Sequence, residues 1–376
     1  MMRARVSVPA DSPCRMRNSV APAPAAAAAV GTAAVKRILV IKPSSLGDIF
    51  HTFAAVSLLK QFYPDAELDW LVHPAFAEAL DFSPFPVRKK ILFNRRNLAK
   101  ISAFPREFRH LVGELRRERY DLVIDFQGLM RSSIFGFLAR GPRPEGFAAP
   151  REAISKCLYG ERHNVDMKLH AVERNIALVQ RILGTDRRPE AFELPSGRFA
   201  LELPAELAGR RLIGVIPGAR WRTKAFPAAF FAEVIDRIAE KVGNCAFVII
   251  GSRADEPAAA AIASQLKFAV AVSLAGKTSI GQMIEVMRRF ELVLSNDSGP
   301  VHVAAAQNVP VFGFFGPTDP ALTGPFGGNH RIFQAGLACA KCLGRQCRLD
   351  RDDPPCHRLD AATVAAAAVQ QLTREI

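Results

Sequence analysis

The chain has 376 residues, of which 49% are hydrophobic and 23% are charged, and its formal net charge is +14 at pH 7. This length exceeds the usual size of one hydrophobic core, so two domains are expected in a globular protein of ordinary composition. No apolar run is long enough for a membrane-spanning helix. The positive charge predicts anionic partners, but the basic residues lack the spacing of a nucleic-acid-binding module, so no nucleic acid partner is expected.

Residues 1–35 combine four arginines with an Ala/Pro-rich tract. A charged start before an Ala-rich stretch imitates a secretory signal, but the prolines and the weak hydrophobicity argue against one. We interpret this segment as a disordered basic extension, or as the product of an upstream start codon. The seven cysteines do not follow the pattern of a secreted disulfide scaffold, so a reducing, cytoplasmic location is expected.

The first half alternates between strand-like and helix-like patterns. Residues 37–42 form an apolar run bounded by charges, residues 43–48 form a turn of small residues, and residues 49–62 place apolar side chains on one helical face. Further strands are predicted over 68–72 and 122–126. This alternation predicts a parallel sheet flanked by helices.

The second half repeats this alternation after a linker-like segment near residue 205. Strands are predicted over 211–216, 247–251, 291–294 and 309–314, and Asp360 is the predicted cap of a closing helix. We therefore predict an α/β protein with two doubly wound, Rossmann-like domains, over residues 36–205 and 206–376, that face a central cleft. In such sheets ligands bind beyond the carboxyl ends of the strands.

The turn over residues 295–302 has the sequence Ser-Asn-Asp-Ser-Gly-Pro-Val-His and joins a predicted strand to a predicted helix. The N–H groups at such a helix start can hold a diphosphate, and the carboxylate of Asp297 is suited to sugar hydroxyls. The alternative is a plain helix cap.

The turn over residues 43–48 delivers Asp48 to the start of a helix, where a carboxylate in a cleft can act as a general base. The alternative is an acidic residue that only stabilises the first helical turn. Lys42, just before this turn, would hold an anionic acceptor or simply end the strand.

A basic loop follows the first strand of the second half, with Arg220, Arg222 and Lys224 beside a glycine turn. Cations in this place would offset the growing negative charge of a diphosphate leaving group. A solvated basic loop is the alternative. Asp255 and Glu256 follow the next strand, where a carboxylate can hold a ribose, and residues 274–279 form another strand-end loop.

Six motifs carry a resemblance to a known family, and they lie over residues 41–48, 121–129, 170–175, 274–279, 295–302 and 315–320. From about residue 37 to the C-terminus the chain resembles the lipopolysaccharide heptosyltransferases, most closely those of the heptosyltransferase I type. These are inverting glycosyltransferases that use ADP-heptose and have the two-domain GT-B fold. Residues 1–35 have no expected counterpart in the family, and residues 140–169 match it only loosely.

The resemblance implies roles for individual residues. Asp48 would be the base that activates the acceptor hydroxyl, and Lys224 would neutralise the diphosphate. Asp297 would bind heptose hydroxyls, and either Asp255 or Glu256 would meet the ribose. The implied nucleotide-sugar-binding residues are Thr223, Arg220, Asp255, Glu256, Gly276, Lys277, Asp297, Ser298, Gly299 and His302. The implied acceptor-binding residues are Lys42, Ser45, Gly47, Gln127, Arg131, His170 and Arg174.

The resemblance also implies the partners. The donor would be ADP-heptose, and the acceptor an anionic lipopolysaccharide precursor of the Kdo-lipid A type. Basic residues would hold the enzyme as a peripheral protein at the inner face of the cytoplasmic membrane. Two alternatives remain: the same fold acting on another nucleotide sugar or glycan, and a non-catalytic nucleotide-binding protein.

The late cysteines form a C-x2-C-x4-C-x8-C run over residues 339–356. Zinc ligation is chemically possible, but the spacing is irregular for an all-cysteine site, and a reduced structural cluster is the other interpretation. Because Lys224 and a helix N-terminus can stabilise a leaving diphosphate, we expect neither a metal nor a cofactor.

Overall fold

The computed structural model describes residues 35–98, 102, 104–350 and 352–373. Within these residues the chain forms two six-stranded sheets, in which every pairing is parallel. Helices flank both sheets, so the predicted α/β fold with two doubly wound units is confirmed. The predicted extension over residues 1–35 lies outside the described residues, except for Val35.

The first sheet has the strand order β3-β2-β1-β4-β5-β6. Its strands are β1 (Arg37–Ile41), β2 (Glu67–Val72), β3 (Val87–Leu92), β4 (Leu122–Asp125), β5 (Glu145–Phe147) and β6 (Glu161–His163). The helices of this half are α1 (Leu46–Phe62), α2 (Arg95–Leu98), α3 (Phe104–Arg117), α4 (Met130–Leu138) and α5 (Ala171–Leu183), with 3-10 turns over Pro74–Phe82 and Ala153–Leu158.

The second sheet has the strand order β12-β11-β10-β7-β8-β9, which is the order of the first sheet viewed from its other end. Its strands are β7 (Arg211–Ile216), β8 (Cys245–Ile249), β9 (Ala271–Ser273), β10 (Phe290–Asn296), β11 (Val311–Phe315) and β12 (Arg331–Gln334). The helices are α6 (Ala228–Val242), α7 (Glu256–Ala263), α8 (Ile280–Met287), α9 (Gly299–Ala306), α10 (Pro320–Thr323) and α11 (Ala361–Thr373), with 3-10 turns over Ala205–Leu207, Arg222–Lys224, Arg253–Asp255 and Pro355–His357.

The central strands are buried on both faces, which explains their continuous apolar sequences. The residues of β1 from Ile38 to Ile41 are fully buried, as expected for a strand covered by helices on both sides. Helix α1 is also buried on most of its faces, because it packs against α5 of its own half and against α9 of the second half. Asp360 caps α11 as predicted, accepting the N–H groups of residues 362 and 363.

The two halves are joined by the segment between α5 and β7, which runs along α8. The guanidinium of Arg288 donates to the carbonyl oxygens of Leu194 and Pro195. Across the halves, the carboxylate of Glu78 accepts the N–H of Gly281 at 2.7 Å, at the start of α8. The predicted domain boundary at residue 205 falls in this joining segment and stays a prediction.

Each sheet has one point where the strand order changes direction, between β1 and β4 in the first and between β7 and β10 in the second. Ligands of doubly wound folds bind in the crevice at such a point. The turns that follow these four strands begin at residues 42, 126, 217 and 297, so the sheet topology brings the predicted site residues together. No helix among the described residues is both long and apolar enough to cross a bilayer.

Candidate active site

Asp48 lies in the first turn of α1. One of its carboxylate oxygens, Oδ2, accepts hydrogen bonds from the N–H and the hydroxyl of Ser45 at 2.8 and 2.9 Å, and the other lies 3.9 Å from Lys42 Nζ. Burial of the carboxyl opposes ionisation, but Lys42, His51 and the Ser45 hydrogen bonds outweigh it and hold the pKa of Asp48 below its ordinary value. The carboxylate is therefore ionised at neutral pH. It caps the helix and is charged as a base requires, so the two interpretations of Asp48 are compatible.

Lys42 connects the two strands at the direction change of the first sheet. Its side chain is buried, and Nζ donates to the carbonyl oxygen of Phe126 at 3.0 Å, just after β4. Burial lowers the pKa of Lys42. The lysine thus places a cation beside Asp48 at the floor of the crevice.

The carboxylate of Asp297, which follows β10, is paired with the lysine of the basic loop that follows β7. Lys224 Nζ lies 2.7 Å from Asp297 Oδ2, which also accepts the hydroxyl of Thr318 at 2.5 Å. Asp297 is 7% exposed. The ammonium also lies over the ring of Trp221, 4.7 Å from its centroid. The structure thus brings together the two residues predicted to meet the diphosphate and the sugar.

Helix α9 begins beside this pair. Ser298 precedes the helix, and its buried hydroxyl has no hydrogen-bond partner among the described residues. Gly299 is the first helical residue, where the backbone N–H groups are not used within the helix. A hypothetical Cβ on Gly299 would lie 3.6 Å from the backbone nitrogen of Gly47, so the starts of α9 and α1 face each other.

A group of three histidines fills the space between the halves. The rings of His51 and His302 lie 4.2 Å apart, and those of His51 and His170 lie 5.5 Å apart. Burial lowers the pKa of His302 to about 4, although the charges of Asp297 and Asp48 both favour its protonated form. The His302 ring, which is half-buried, lies against the backbone of Gly47 at the start of α1, so the turns that carry Asp48 and Asp297 meet at one gap.

The two predicted ribose-binding carboxylates differ in whether they already have hydrogen-bond partners. The carboxylate of Asp255 accepts the N–H and the hydroxyl of Ser252 at 2.7 and 2.8 Å, so it is engaged in capping. Glu256 is about half exposed and 4.0 Å from Arg253. A Cβ on Gly276 would lie 2.3 Å from Glu256 Oε1, so the two are adjacent. The ammonium of Lys277, another predicted donor-binding residue, donates to the carbonyl oxygen of residue 273.

Thr223 is directed at the cysteine-rich segment and not at the gap. Its hydroxyl donates to the carbonyl oxygen of Gly344 at 2.7 Å, and its own carbonyl accepts from His357 at 2.9 Å. The role of Thr223 in donor binding that the resemblance implies stays a prediction. The cysteines described here are free thiols, and no three His, Cys, Asp or Glu side chains of the described residues are placed to hold a metal ion.

A cavity of about 570 Å³ opens beside the Asp48 turn. Predicted acceptor-side residues Gln127 and Arg131 line it together with Ser44, and so does Arg220 from the second half. This position differs from the donor-side role predicted for Arg220. Arg174 does not line this cavity; it donates to carbonyl oxygens of the loop before α5. His170 caps α5 and contacts the carbonyl of residue 324 in the other half.

The comparisons with known proteins agree with this geometry. The family model for glycosyltransferase family 9 (heptosyltransferase) matches residues 108–351. A lipopolysaccharide heptosyltransferase 1 from Pseudomonas aeruginosa is 30% identical over 323 residues, which cover 83% of this chain and 87% of the relative. The chain belongs to glycosyltransferase family 9.

Solved structures support the family and the fold of this glycosyltransferase. The structure of E. coli heptosyltransferase WaaC with ADP is 25% identical, with a TM-score of 0.71, and the match covers 89% of this chain and 99% of that one. The structure of WaaC with ADP-2-deoxy-2-fluoro heptose is 26% identical, with a TM-score of 0.66, over 80% of this chain and 93% of that one. The resemblance to the family and the GT-B fold are thereby confirmed.

Three residues of the glycosyltransferase site escaped the sequence analysis. His51 lies one helical turn after Asp48, and this spacing is a local signal that could have identified it. The side-chain amide of Asn296, at the end of β10, donates to the carbonyl oxygen of Pro217 at 2.7 Å, where the basic loop begins. Thr318 comes from the turn after β11, and no local pattern links it to Asp297.

Proposed function

We propose that this glycosyltransferase transfers heptose from ADP-heptose to the inner core of a lipopolysaccharide precursor, with inversion at the anomeric carbon. The observation that carries the proposal is that the start of α1, which holds Asp48, faces the start of α9, which follows Asp297: a Cβ on Gly299 would lie 3.6 Å from the backbone nitrogen of Gly47. A base and a donor-binding carboxylate thus face one gap. The similarity to a lipopolysaccharide heptosyltransferase 1, and to structures of WaaC with ADP and with an ADP-sugar analogue, supports the donor and the acceptor class.

The proposed reaction is a single displacement. Asp48 takes the proton of the acceptor hydroxyl while the hydroxyl oxygen forms a bond to the anomeric carbon of heptose. The bond from that carbon to the diphosphate breaks on the opposite face, and ADP leaves. Lys224 and the N-terminus of α9 offset the negative charge on the departing diphosphate. In this scheme the chain itself supplies the charge, without a metal or a cofactor.

The proposed acceptor is part of a membrane lipid. The formal net charge of +14 would favour binding to an anionic leaflet. We accordingly propose a cytoplasmic enzyme that binds peripherally to the inner membrane. Flotation with vesicles that contain or lack anionic lipid measures this association, and equal binding to both vesicles would contradict it.

The experiment that tests the function compares donors. Purified protein is mixed with ADP-heptose, ADP-glucose, UDP-glucose or GDP-mannose, and the melting temperature and the transfer to a Kdo-bearing lipid A acceptor are measured. ADP-heptose is expected to raise the melting temperature and to support transfer. Transfer from a different sugar nucleotide would favour another specificity on the same fold. Binding without transfer from any donor would favour a non-catalytic protein.

A further inference from the structure

We propose that Arg220 binds an anionic group of the acceptor, although it belongs to the half of the molecule that binds the donor. It would thereby be a specificity-determining residue. This inference rests on the proposed function, because it concerns the second substrate of the same reaction. It changes the assignment of Arg220 from the leaving diphosphate to the acceptor sugar.

The position of Arg220 is the first support. It lines the 570 Å³ cavity together with Pro43, Ser44 and Gln127 of the first half. Ser44 adjoins Ser45, whose hydroxyl and N–H hold the Asp48 carboxylate. The cavity therefore adjoins the proposed base, where an acceptor hydroxyl must be placed. A guanidinium on this wall can contact the acceptor only when the two halves face each other.

The second support is that the arginines on the cavity wall have no ion-pair partners among the described residues. Arg220 is exposed and makes no ion pair or hydrogen bond with another described residue, whereas its neighbours Arg222 and Lys224 are paired with Asp352 and Asp297. Arg131, which lines the same cavity, is likewise unpaired within the described part of the chain. Two guanidinium groups without carboxylate partners therefore face one cavity, which favours an anion within it.

A buried amide is the third support. Gln127 lines the cavity and is 3% exposed, and its buried Oε1 has no hydrogen-bond partner in the described structure. An unpaired acceptor of this kind is suited to a donating hydroxyl. The aromatic rings of Phe76 and Phe93 add an apolar surface. Guanidinium groups for an anion, a carbonyl for a hydroxyl and an apolar wall together match an acidic sugar.

The carboxylate of such a sugar is the group we assign to Arg220. A guanidinium presents N–H groups in a planar fork that fits a carboxylate with two parallel hydrogen bonds. The diphosphate has a separate partner in Lys224, which lies beside Asp297 and the start of α9. Arg220 is therefore available for the acceptor.

The test measures both substrates with Arg220→Gln. We expect the KM for a Kdo-bearing acceptor to rise about 10- to 100-fold, since a hydrogen bond to a charged group is lost, while the KM for ADP-heptose changes less than about twofold. Arg237→Gln, which removes the same charge from the exposed surface of α6, is the matched control and should leave both constants unchanged. Equal melting temperatures establish that the variants are folded.

A second acceptor identifies the group that Arg220 contacts. Reduction of the sugar carboxylate to an alcohol should weaken the acceptor for the wild type, and should weaken it much less for Arg220→Gln, because the partner is already absent. Equal losses in both proteins would overturn the assignment to the carboxylate. If the KM for ADP-heptose rises and the KM for the acceptor does not, Arg220 binds the diphosphate and the inference is wrong.

Binding measurements separate this inference from the proposed function. Titration calorimetry with the deacylated acidic acceptor, without a donor, requires no turnover. If the wild type transfers heptose and Arg220→Gln binds the acceptor as tightly as the wild type, the inference is wrong and the function stands. If no heptose is transferred but Arg220→Gln still weakens binding of the acidic glycan, the function is wrong and the anion site stands.

Discussion

The backbone of Gly47 lies against the imidazole of His302, so closely that a Cβ on Gly47 would stand 2.1 Å from Cδ2 of the ring. Gly47 belongs to the helix that carries Asp48, and His302 to the helix that begins beside Asp297. This glycine therefore sets how closely the proposed base can approach the donor side. A side chain at this position would have to separate the two helices or displace the buried ring.

Gly47→Ala tests this close approach. The added methyl group overpacks the interface, and we expect a loss of about 1–3 kcal/mol in stability together with a clear fall in the transfer rate. Gly113→Ala is the matched control, because Gly113 lies in the exposed part of α3 and, outside its own helix backbone, no described atom lies within 4 Å of its hypothetical Cβ. Alanine should stabilise that helix slightly. Wild-type rate and melting temperature in Gly47→Ala would show that the contact is unimportant.

The Lys224 and Asp297 pair gives a second prediction. Lys224→Met leaves a buried carboxylate without its cation, which costs about 3–5 kcal/mol for a buried pair. We expect a lower melting temperature and weaker donor binding. The double variant with Asp297→Asn should recover stability without recovering transfer, because the charge that offsets the diphosphate is still missing. A double variant no more stable than the single one would contradict this account of the pair.

The histidines at the interface give a pH dependence of stability. Burial lowers the pKa of His302 to about 4, and burial also lowers the pKa of His51 and His170. The unfolded chain therefore takes up protons near pH 6.5, where the folded protein does not, so stability falls as the pH falls from 6.5 towards 4. Urea unfolding at several pH values measures this slope, and His302→Asn should make it shallower.

Asp48 contributes in a different pH range. Its pKa lies below its ordinary value in the folded protein, so its contribution is present above about pH 4 and is lost only below that pH. Asp48→Asn should therefore leave a slope between pH 6.5 and 4 that is no shallower, because loss of this charge can only lower the pKa of His302 further. If Asp48→Asn abolished the dependence of stability on pH between 6.5 and 4, the carboxylate and not the histidines would be the group that titrates in this range.

Chelation tests whether the leaving diphosphate is stabilised without a metal ion. In the proposed reaction Lys224 and the start of α9 supply the positive charge, so prior treatment with EDTA should leave the transfer rate within about twofold of the untreated value. The same assay examines the cysteine-rich segment, whose loop is attached to Thr223. A rate lost on chelation and restored by a divalent cation would establish a metal requirement.

Much of the fold could be predicted from local sequence. The buried central strands β1, β4, β7 and β10 have continuous apolar runs followed by small residues, and these runs predicted both sheets and the turns of the site. The strands β3, β5, β6, β9 and β12 were not predicted, and of these β9 has three residues and β12 four. Strand β3 has the charged sequence VRKKIL at a sheet edge, and β5 and β6 have three residues each, so neither hydrophobicity nor length identifies them.

The site was predictable where a residue's position along a strand-turn-helix unit decides its place. Asp48, Lys224 and Asp297 are of this kind. Arg220 is not, because only the packing of the two halves shows that its side chain lines a cavity of the opposite half. Thr223 is directed away by Gly344, which is 121 residues distant. Long-range contacts of this kind leave no local pattern in a single sequence.

The most direct test of the account is the transfer of heptose from ADP-heptose by Asp48→Asn, measured with ADP binding in the same preparation. We predict that the rate falls about 10²- to 10⁴-fold, as for loss of a general base, while the Kd for ADP stays within about twofold of the wild type. A variant that transfers heptose at the wild-type rate would contradict the assignment of Asp48 as the base.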